Sequence, residues 1–243
     1  MGIEGKKIGR LYGVGVGPGD PELLTLRAYR VLSQVPVVFV PHKNAKSKSY
    51  AYSIIDGLVG EPPQKVMALI FPMQKDSQKL VPYWEKAAEE VWRHLARGED
   101  CAFVNEGDPF LYGTFIHVFE IIRERYPEVA IEIVPGISSV NAASARALLP
   151  LATGKERVAI LPTTYENNID ALRETLESFD TVVLLKVHSM FDQVLDLLED
   201  MKLADKCVYI KRCTSQDEEI VRDIRKLRGK NLDYLSLLVV RRR

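Results

Sequence analysis

The strongest constraint on the fold is an alternation of short apolar runs with longer segments of helical periodicity. Strands that alternate in this way with helices are typical of an α/β fold with mostly parallel strand pairing. The runs that predict strands are residues 10–17, 35–41, 101–107, 131–136, 157–162, 181–187, 207–212 and 235–243.

The turn-rich strip at residues 147–158 interrupts this rhythm, which then starts again. We therefore predict two α/β domains, at residues 1–136 and 137–243, with the boundary between 124 and 156. The sheet of the first domain is expected to be mostly parallel.

Two Asp-Pro pairs predict helix starts. In Asp20-Pro21 and in Asp108-Pro109 an aspartate that can cap a helix precedes a proline, which suits the first helical position. Ser138 or Ser139 is expected to cap a third helix.

The stretch "GVGVGPGDPELLTLRA", residues 13–28, joins the first strand to a helix through several glycines. A dinucleotide site requires a third glycine, but Pro18 or Asp20 stands in its place. No Gly-Lys-Ser/Thr sequence is present for a phosphate loop, and aspartates at both helix starts would repel a phosphate. The pattern therefore favours a neutral or cationic ligand.

Two further loops follow predicted strands in the same way, at residues 105–115 and 133–145. Small residues in such loops permit close approach of backbone and ligand. Three loops at equivalent ends of parallel strands predict a crevice site. Taken singly, each loop is better explained as tight turn chemistry, but the three loops together favour a site.

Composition limits the partners and the compartment. Lys plus Arg equal Asp plus Glu at 33 each, which argues against nucleic acid or an anionic membrane as partner. Three cysteines without close spacing suit a reducing compartment. Neither a signal peptide nor a membrane-spanning run is evident, so we expect a cytoplasmic protein.

The motifs resemble those of the tetrapyrrole methylases, a distinct class (class III) of S-adenosylmethionine-dependent methyltransferases. The resemblance is carried by "GVGVGPGDPELLTLRA", "EGDPFLYGTF", "VPGISSVNAASA" and "YLSLLVVRRR", and thus spans nearly the whole chain. Within the family, these motif sequences are most similar to those of the C20-methyltransferases that act on precorrin-2 or cobalt-factor II in cobalamin biosynthesis.

This resemblance implies two α/β domains with S-adenosylmethionine in the crevice between them, and a homodimer. The cofactor is a sulfonium zwitterion without phosphate, which agrees with the carboxylates in the loops. Lys186 stands where relatives often have methionine, and Cys213 where they often have glycine or alanine. The implied cofactor-binding residues are Pro18, Glu106, Gly107, Asp108, Leu111, Ser138, Ser139, Lys186 and Cys213.

Methyl transfer from sulfonium to carbon is an in-line displacement, for which the protein supplies mainly position. The electron-rich ring carbon is the nucleophile, and a base removes the displaced proton afterwards. His42, His117, Glu106 and Tyr112 are candidates, and no catalytic base is assigned among them. We expect no protein-bound metal, because nothing near these histidines in the sequence forms a ligand set.

The tetrapyrrole substrate carries many carboxylates, which a neutral chain must meet with a local basic patch. Lys43, Lys46 and Lys48 follow the second predicted strand and are the predicted substrate-binding residues. The alternative is that this segment is an ordinary solvated loop.

Three other functions remain open from sequence. One is methylation of a tetrapyrrole at another ring carbon, C11 or C17, or methylation of uroporphyrinogen III. A second is modification of RNA or of the diphthamide precursor, although the zero net charge disfavours RNA. The third is a non-catalytic module that binds S-adenosylmethionine or tetrapyrrole.

Overall fold

The computed structural model describes residues 7–60, 64–73, 77–163 and 168–242. The chain divides into two compact units, Met1–Ser138 and Ser139–Arg243. The domain boundary expected from sequence, after residue 136, lies close to the boundary between these two units, after Ser138. None of the helices within the described ranges has the length and apolar character that a membrane span requires.

The first unit is a five-stranded sheet in the order β3-β2-β4-β1-β5, in which all four strand pairs are parallel. Its strands are β1 (Leu11–Gly15), β2 (Val37–His42), β3 (Lys65–Ile70), β4 (Cys101–Asn105) and β5 (Ile131–Val134). Its helices are α1 (Leu26–Leu32), α2 (Tyr50–Ile55), α3 (Val81–Leu95) and α4 (Phe115–Arg125).

Side chains of this sheet alternate between two cores, as the period of two in a strand requires. Phe39 and Phe103 join the core that contains residues of α3 and α4. Their chain neighbours Val40 and Val104 join the core that contains residues of α1 and α2. The central strand β4 is buried along its whole length because helices cover both faces.

The second unit has its own five-stranded sheet in the order β6-β7-β10-β8-β9. Its strands are β6 (Val158–Pro162), β7 (Thr181–Leu185), β8 (Cys207–Lys211), β9 (Glu219–Val221) and β10 (Ser236–Arg241). Its helices are α5 (Ser139–Arg146), α6 (Ile169–Ser178) and α7 (Phe191–Asp200).

Pairing in this second sheet differs from the mostly parallel pairing expected for the whole chain. Only β6 and β7 pair in parallel, whereas β10 pairs antiparallel with β7 and β8, and β8 pairs antiparallel with β9. The strands β7 and β8 run in one direction, and β10 fills the gap between them in the opposite direction. An apolar run alone carries no information about strand direction.

Both Asp-Pro pairs were expected to start helices, and the expectation is confirmed for Asp20 and wrong for Asp108. Asp20 caps only a short 3-10 turn, Pro21–Leu23, by accepting a hydrogen bond from the Glu22 N–H at 2.9 Å. The helix α1 begins later, where the Thr25 hydroxyl accepts from the Ala28 N–H at 3.1 Å. After Asp108 the chain makes a turn, and α4 begins only at Phe115.

The three cysteines are free thiols within the cores. Cys101, Cys207 and Cys213 are each at most 5% exposed. Burial raises the pKa of each thiol to about 12, because the apolar surroundings disfavour the charged thiolate.

We therefore expect the native thiols to resist Ellman's reagent at pH 8, where a pKa near 12 leaves about one thiolate in ten thousand. The unfolded protein in guanidinium chloride should release three equivalents of the reagent's chromophore. Rapid labelling of any thiol in the native protein would show that its core opens more readily than the structure indicates.

Candidate functional site

Three loops leave the first sheet on the side where its parallel strands end, which we call the carboxyl edge of the sheet. They follow β1 (residues 16–20), β4 (residues 106–114) and β5 (residues 135–138). Because β5, β1 and β4 are parallel neighbours, their carboxyl ends lie side by side. This edge of an open α/β sheet is where ligands bind.

The first and second loops are joined by a two-residue backbone bridge. The Gly107 N–H donates to the Gly17 carbonyl at 2.7 Å, and the Gly17 N–H donates to the Gly107 carbonyl at 3.4 Å. Both residues have positive φ, 80° at Gly17 and 66° at Gly107. Glycine adopts this conformation without the steric cost that a side chain would impose.

The second and third loops are joined by the carboxylate of Asp108. One of its oxygens accepts a hydrogen bond from the Phe110 N–H at 2.9 Å, and the other accepts from the Gly136 N–H at 3.1 Å. The helix-capping role expected for Asp108 is therefore wrong. The side chain connects two loops instead.

Asn105 is a structural residue of this site that sequence reasoning missed. It is 3% exposed, and its amide N–H groups donate to the carbonyls of Glu106 at 2.7 Å and Asp108 at 3.3 Å. Its side-chain oxygen accepts from the Phe115 N–H at 3.5 Å. The signal for Asn105 in the sequence was a polar residue at the end of an otherwise apolar strand.

The glycines of the opening motif serve the packing of the loops against one another. A Cβ atom on Gly15 would lie 2.5 Å from the Gly136 Cα and 2.7 Å from the Gly107 carbonyl oxygen. On Gly13 it would overlap the ring of Phe115. Three backbones thus meet where no side chain fits.

The structure brings several predicted cofactor residues to this edge. Pro18 is buried, and its carbonyl accepts a hydrogen bond from the Tyr50 hydroxyl at 3.1 Å. Glu106, Leu111 and Ser138 are partly exposed in the second and third loops. Ser139 is the first residue of α5.

The two histidines considered as bases are both held by other groups. The Nδ1 of His42 lies 2.7 Å from the Ser47 carbonyl oxygen. His117 stacks on Trp84 with ring centroids 3.7 Å apart, and burial lowers its pKa. Tyr112 is 43% exposed and has a positive φ of 54°. No base is assigned from this geometry.

The loop with the three lysines follows β2, which neighbours β4 in parallel, so it leaves the sheet at the same edge. Asn44 shapes the loop, because its side-chain oxygen accepts from the N–H groups of Lys46 and Ser47, both at 2.9 Å. Lys43, Lys46 and Lys48 are exposed. In the described part of the chain, no ion pair engages any of the three.

The second unit has a comparable edge. Because β10 is antiparallel to both β7 and β8, those two strands end at the same side of the sheet. Lys186 follows β7 with φ 59°, and its ammonium nitrogen lies 5.4 Å from the Tyr234 ring centroid. Its N–H donates to the Ser236 carbonyl at 2.9 Å.

Cys213 follows β8 at this second edge, in a turn of unusual backbone conformation. The residues on either side, Arg212 and Thr214, have φ values of 44° and 66°. A non-glycine residue in this region costs on the order of 1–3 kcal/mol, and a β-branched residue is a clear outlier.

Within the described ranges, no group of three or more His, Cys, Asp or Glu is placed to hold a metal ion.

Comparison with known proteins gives one consistent result. The family model of the tetrapyrrole (corrin/porphyrin) methylases matches residues 10–227. A probable cobalt-precorrin-2 C(20)-methyltransferase of Methanocaldococcus jannaschii is 39% identical, with 98% of each chain covered. A precorrin-2 C(20)-methyltransferase of a Sinorhizobium species is 30% identical over 98% of this chain and 97% of its own.

The structure of uroporphyrin-III C-methyl transferase from Thermus thermophilus, complexed with S-adenyl homocysteine, has the same fold. Its TM-score is 0.67 at 22% identity, with 96% of this chain and 98% of that chain covered.

The packing of the three loops predicts that Gly15→Ala is destabilising. The added methyl group would overlap two backbones, and overpacking of this kind costs about 1–3 kcal/mol or more. The free energy of unfolding from urea titration is the measurement. Gly154→Ala is the matched control, since a Cβ there meets nothing within 4 Å and bears only the cost of its φ of 57°. Equal losses in both variants would contradict the close approach of the loops.

Proposed function

Because the chain belongs to the tetrapyrrole methylase family, we propose that it transfers a methyl group from S-adenosylmethionine to C20 of precorrin-2 or cobalt-factor II in cobalamin biosynthesis. The observation that carries this proposal is full-length similarity to two relatives named for methylation at C20. Since one is named for the cobalt form and the other for the metal-free form, the choice between the two substrates is left to experiment.

We propose that the cofactor contacts are those implied by the motifs. In the first unit these are Pro18, Glu106, Gly107, Asp108, Leu111 and Ser138. In the second unit they are Ser139, Lys186 and Cys213. The S-adenyl homocysteine in the Thermus thermophilus relative supports a cofactor of this class.

The chemistry of the loops supports a sulfonium cofactor. The Asp108 carboxylate accepts two backbone N–H groups at the loop edge, and a carboxylate at this place disfavours a phosphate and favours a cation. The backbone of the glycine bridge leaves room for close approach of a ligand.

The reaction requires little covalent chemistry from the protein. The C20 carbon attacks the methyl group in line with the leaving sulfur, the S–CH₃ electron pair stays on sulfur, and C20 then loses its proton. Holding the two reacting atoms about 3–3.5 Å apart provides most of the rate acceleration. Rigid loops tied by backbone hydrogen bonds suit that task better than flexible side chains.

We propose that Lys43, Lys46 and Lys48 bind the carboxylates of the tetrapyrrole. Their exposure, the absence of ion pairs to described residues, and the fixed shape of the loop around Asn44 support this role. We further propose a cytoplasmic homodimer. The family resemblance supports the dimer, and three unpaired thiols support a reducing compartment.

The function is tested by anaerobic incubation with methyl-labelled S-adenosylmethionine and, separately, precorrin-2 and cobalt-factor II. Carbon NMR of the product should show one new methyl group at C20, and the faster substrate identifies the form used. A methyl group at another ring carbon would refute the C20 assignment but keep the family. Cofactor binding without transfer to either substrate would refute the enzyme as proposed.

The lysines are tested by Lys43→Ala, Lys46→Ala and Lys48→Ala. Each variant should raise the KM for tetrapyrrole by a factor of about 1.4 to 5, the range expected for exposed ion pairs of about 0.2–1 kcal/mol, and leave the affinity for cofactor unchanged. The triple variant should also flatten the salt dependence of KM. Lys230→Ala, an exposed lysine of the second unit, is the control. Equal KM values in all variants would show an ordinary solvated loop.

A further inference from the structure

The turn around Cys213 holds two non-glycine residues in the left-handed region, Arg212 and Thr214. Such a conformation persists only where the surroundings fix it more strongly than the strain opposes it. The groups that fix this turn are therefore of interest, because removing them allows the turn to relax. Both sides of the turn carry such groups.

On one side the backbone of Thr214 is held by Glu218. The Thr214 N–H donates to Glu218 Oε2 at 2.6 Å, and the Arg146 guanidinium donates to Glu218 Oε1 at 2.9 Å from Nε and 2.6 Å from Nη2. The Glu218 side chain is only 11% exposed. Burial opposes its ionisation, but the hydrogen bonds from Arg146 and Thr214 and the charge of Arg146 together lower its pKa.

On the other side Arg212 is held to the start of β10. Its N–H donates to the Leu235 carbonyl at 2.8 Å, and its guanidinium Nε donates to Asp233 Oδ2 at 2.7 Å. Cys213 between the two anchors is 5% exposed. Because its thiol lies in the core, a contact between Cys213 and the cofactor would be made by its backbone.

Glu218 also connects the turn with α5. Arg146 is the last residue of that helix, and Ser139, a proposed cofactor contact, is the first. One carboxylate therefore fixes two elements of the second unit that carry proposed cofactor residues.

We propose that Glu218 is a positioning residue for the methyl donor: through Arg146 and the Thr214 N–H it keeps the strained turn in the conformation that presents the Cys213 backbone to S-adenosylmethionine. This inference rests on the proposed function. It adds a residue that does not itself touch the cofactor.

The test uses the full-length protein and S-adenosylhomocysteine, with affinity measured by isothermal titration calorimetry. Glu218→Ala should weaken binding about tenfold or more, because the turn relaxes before the ligand arrives and must be strained again on binding. Glu219→Ala is the matched control. It removes the neighbouring carboxylate, which forms an exposed ion pair with Lys211 at 2.9 Å, and should change the affinity less than twofold.

A second substitution separates positioning from a general structural effect. Glycine tolerates a φ of 66° without strain, so Thr214→Gly in the Glu218→Ala background should restore most of the lost affinity. The free energy of unfolding of both variants, from urea titration, separates the two effects, since a weakened fold lowers the apparent affinity only if a sizeable fraction of the protein is unfolded. If Glu218→Ala fails to fold, Glu218→Gln replaces it. The glutamine oxygen still accepts the Thr214 N–H but cannot pair with the charge of Arg146, so an intermediate loss is expected.

The outcomes are distinguishable. Binding by both glutamate variants at the affinity of the wild type, while the wild type methylates its substrate, would overturn the role of Glu218 and leave the proposed function intact. A loss that Thr214→Gly does not restore would also overturn it. A wild-type protein that neither binds S-adenosylhomocysteine nor methylates a tetrapyrrole would overturn the proposed function and this inference together.

Discussion

The candidate site of the first unit depends on the close approach of three backbones at the carboxyl edge of its sheet. Gly15, Gly107 and Gly136 meet where a single Cβ would overlap a neighbouring backbone. The Gly17–Gly107 bridge and the Asp108 carboxylate then fix the loops to one another. Asn105 and Asp108 satisfy loop N–H and carbonyl groups that close packing shields from water. The site is thus shaped by main chain, which suits a reaction that needs position more than reactive side chains.

The two units reach their loop conformations by different means. In the first unit, positive φ at the bridge falls on glycine, for which it costs little, although Tyr112 in the second loop also adopts it. In the second unit, the comparable positions are Lys186, Arg212 and Thr214, and side-chain contacts compensate for the strain. A partly buried ion pair holds a conformation well, but loss of one partner leaves an uncompensated charge. Substitutions of residues outside the site are therefore expected to disturb the loops of the second unit more than those of the first.

Much of this architecture could be predicted from the sequence, and the failures have physical causes. The apolar runs that became β1, β2 and β4 are buried on both faces, so their composition alone identified them. β3 was missed although it is largely apolar, since its Met, Ala and Leu residues are also good helix formers, and β9 was missed because it has only three residues. Asp108 was assigned to a helix because Asp-Pro is a good helix start. One of its actual partners, the Gly136 N–H, is remote in sequence, as is Arg146, the ion-pair partner of Glu218.

The position of β10 has a consequence for how the second unit forms. It lies between β7 and β8, although it follows both in the chain, and β7 and β8 do not pair with each other. Until β10 is in place, each of those strands presents an unpaired and largely apolar edge. Such edges can pair with strands of other molecules, which makes an incomplete chain prone to aggregation during synthesis. In the first unit β4 likewise lies between β2 and β1, which both precede it in the chain. All strands of that sheet precede Ser139, however, so it can be complete before any strand of the second sheet has been made.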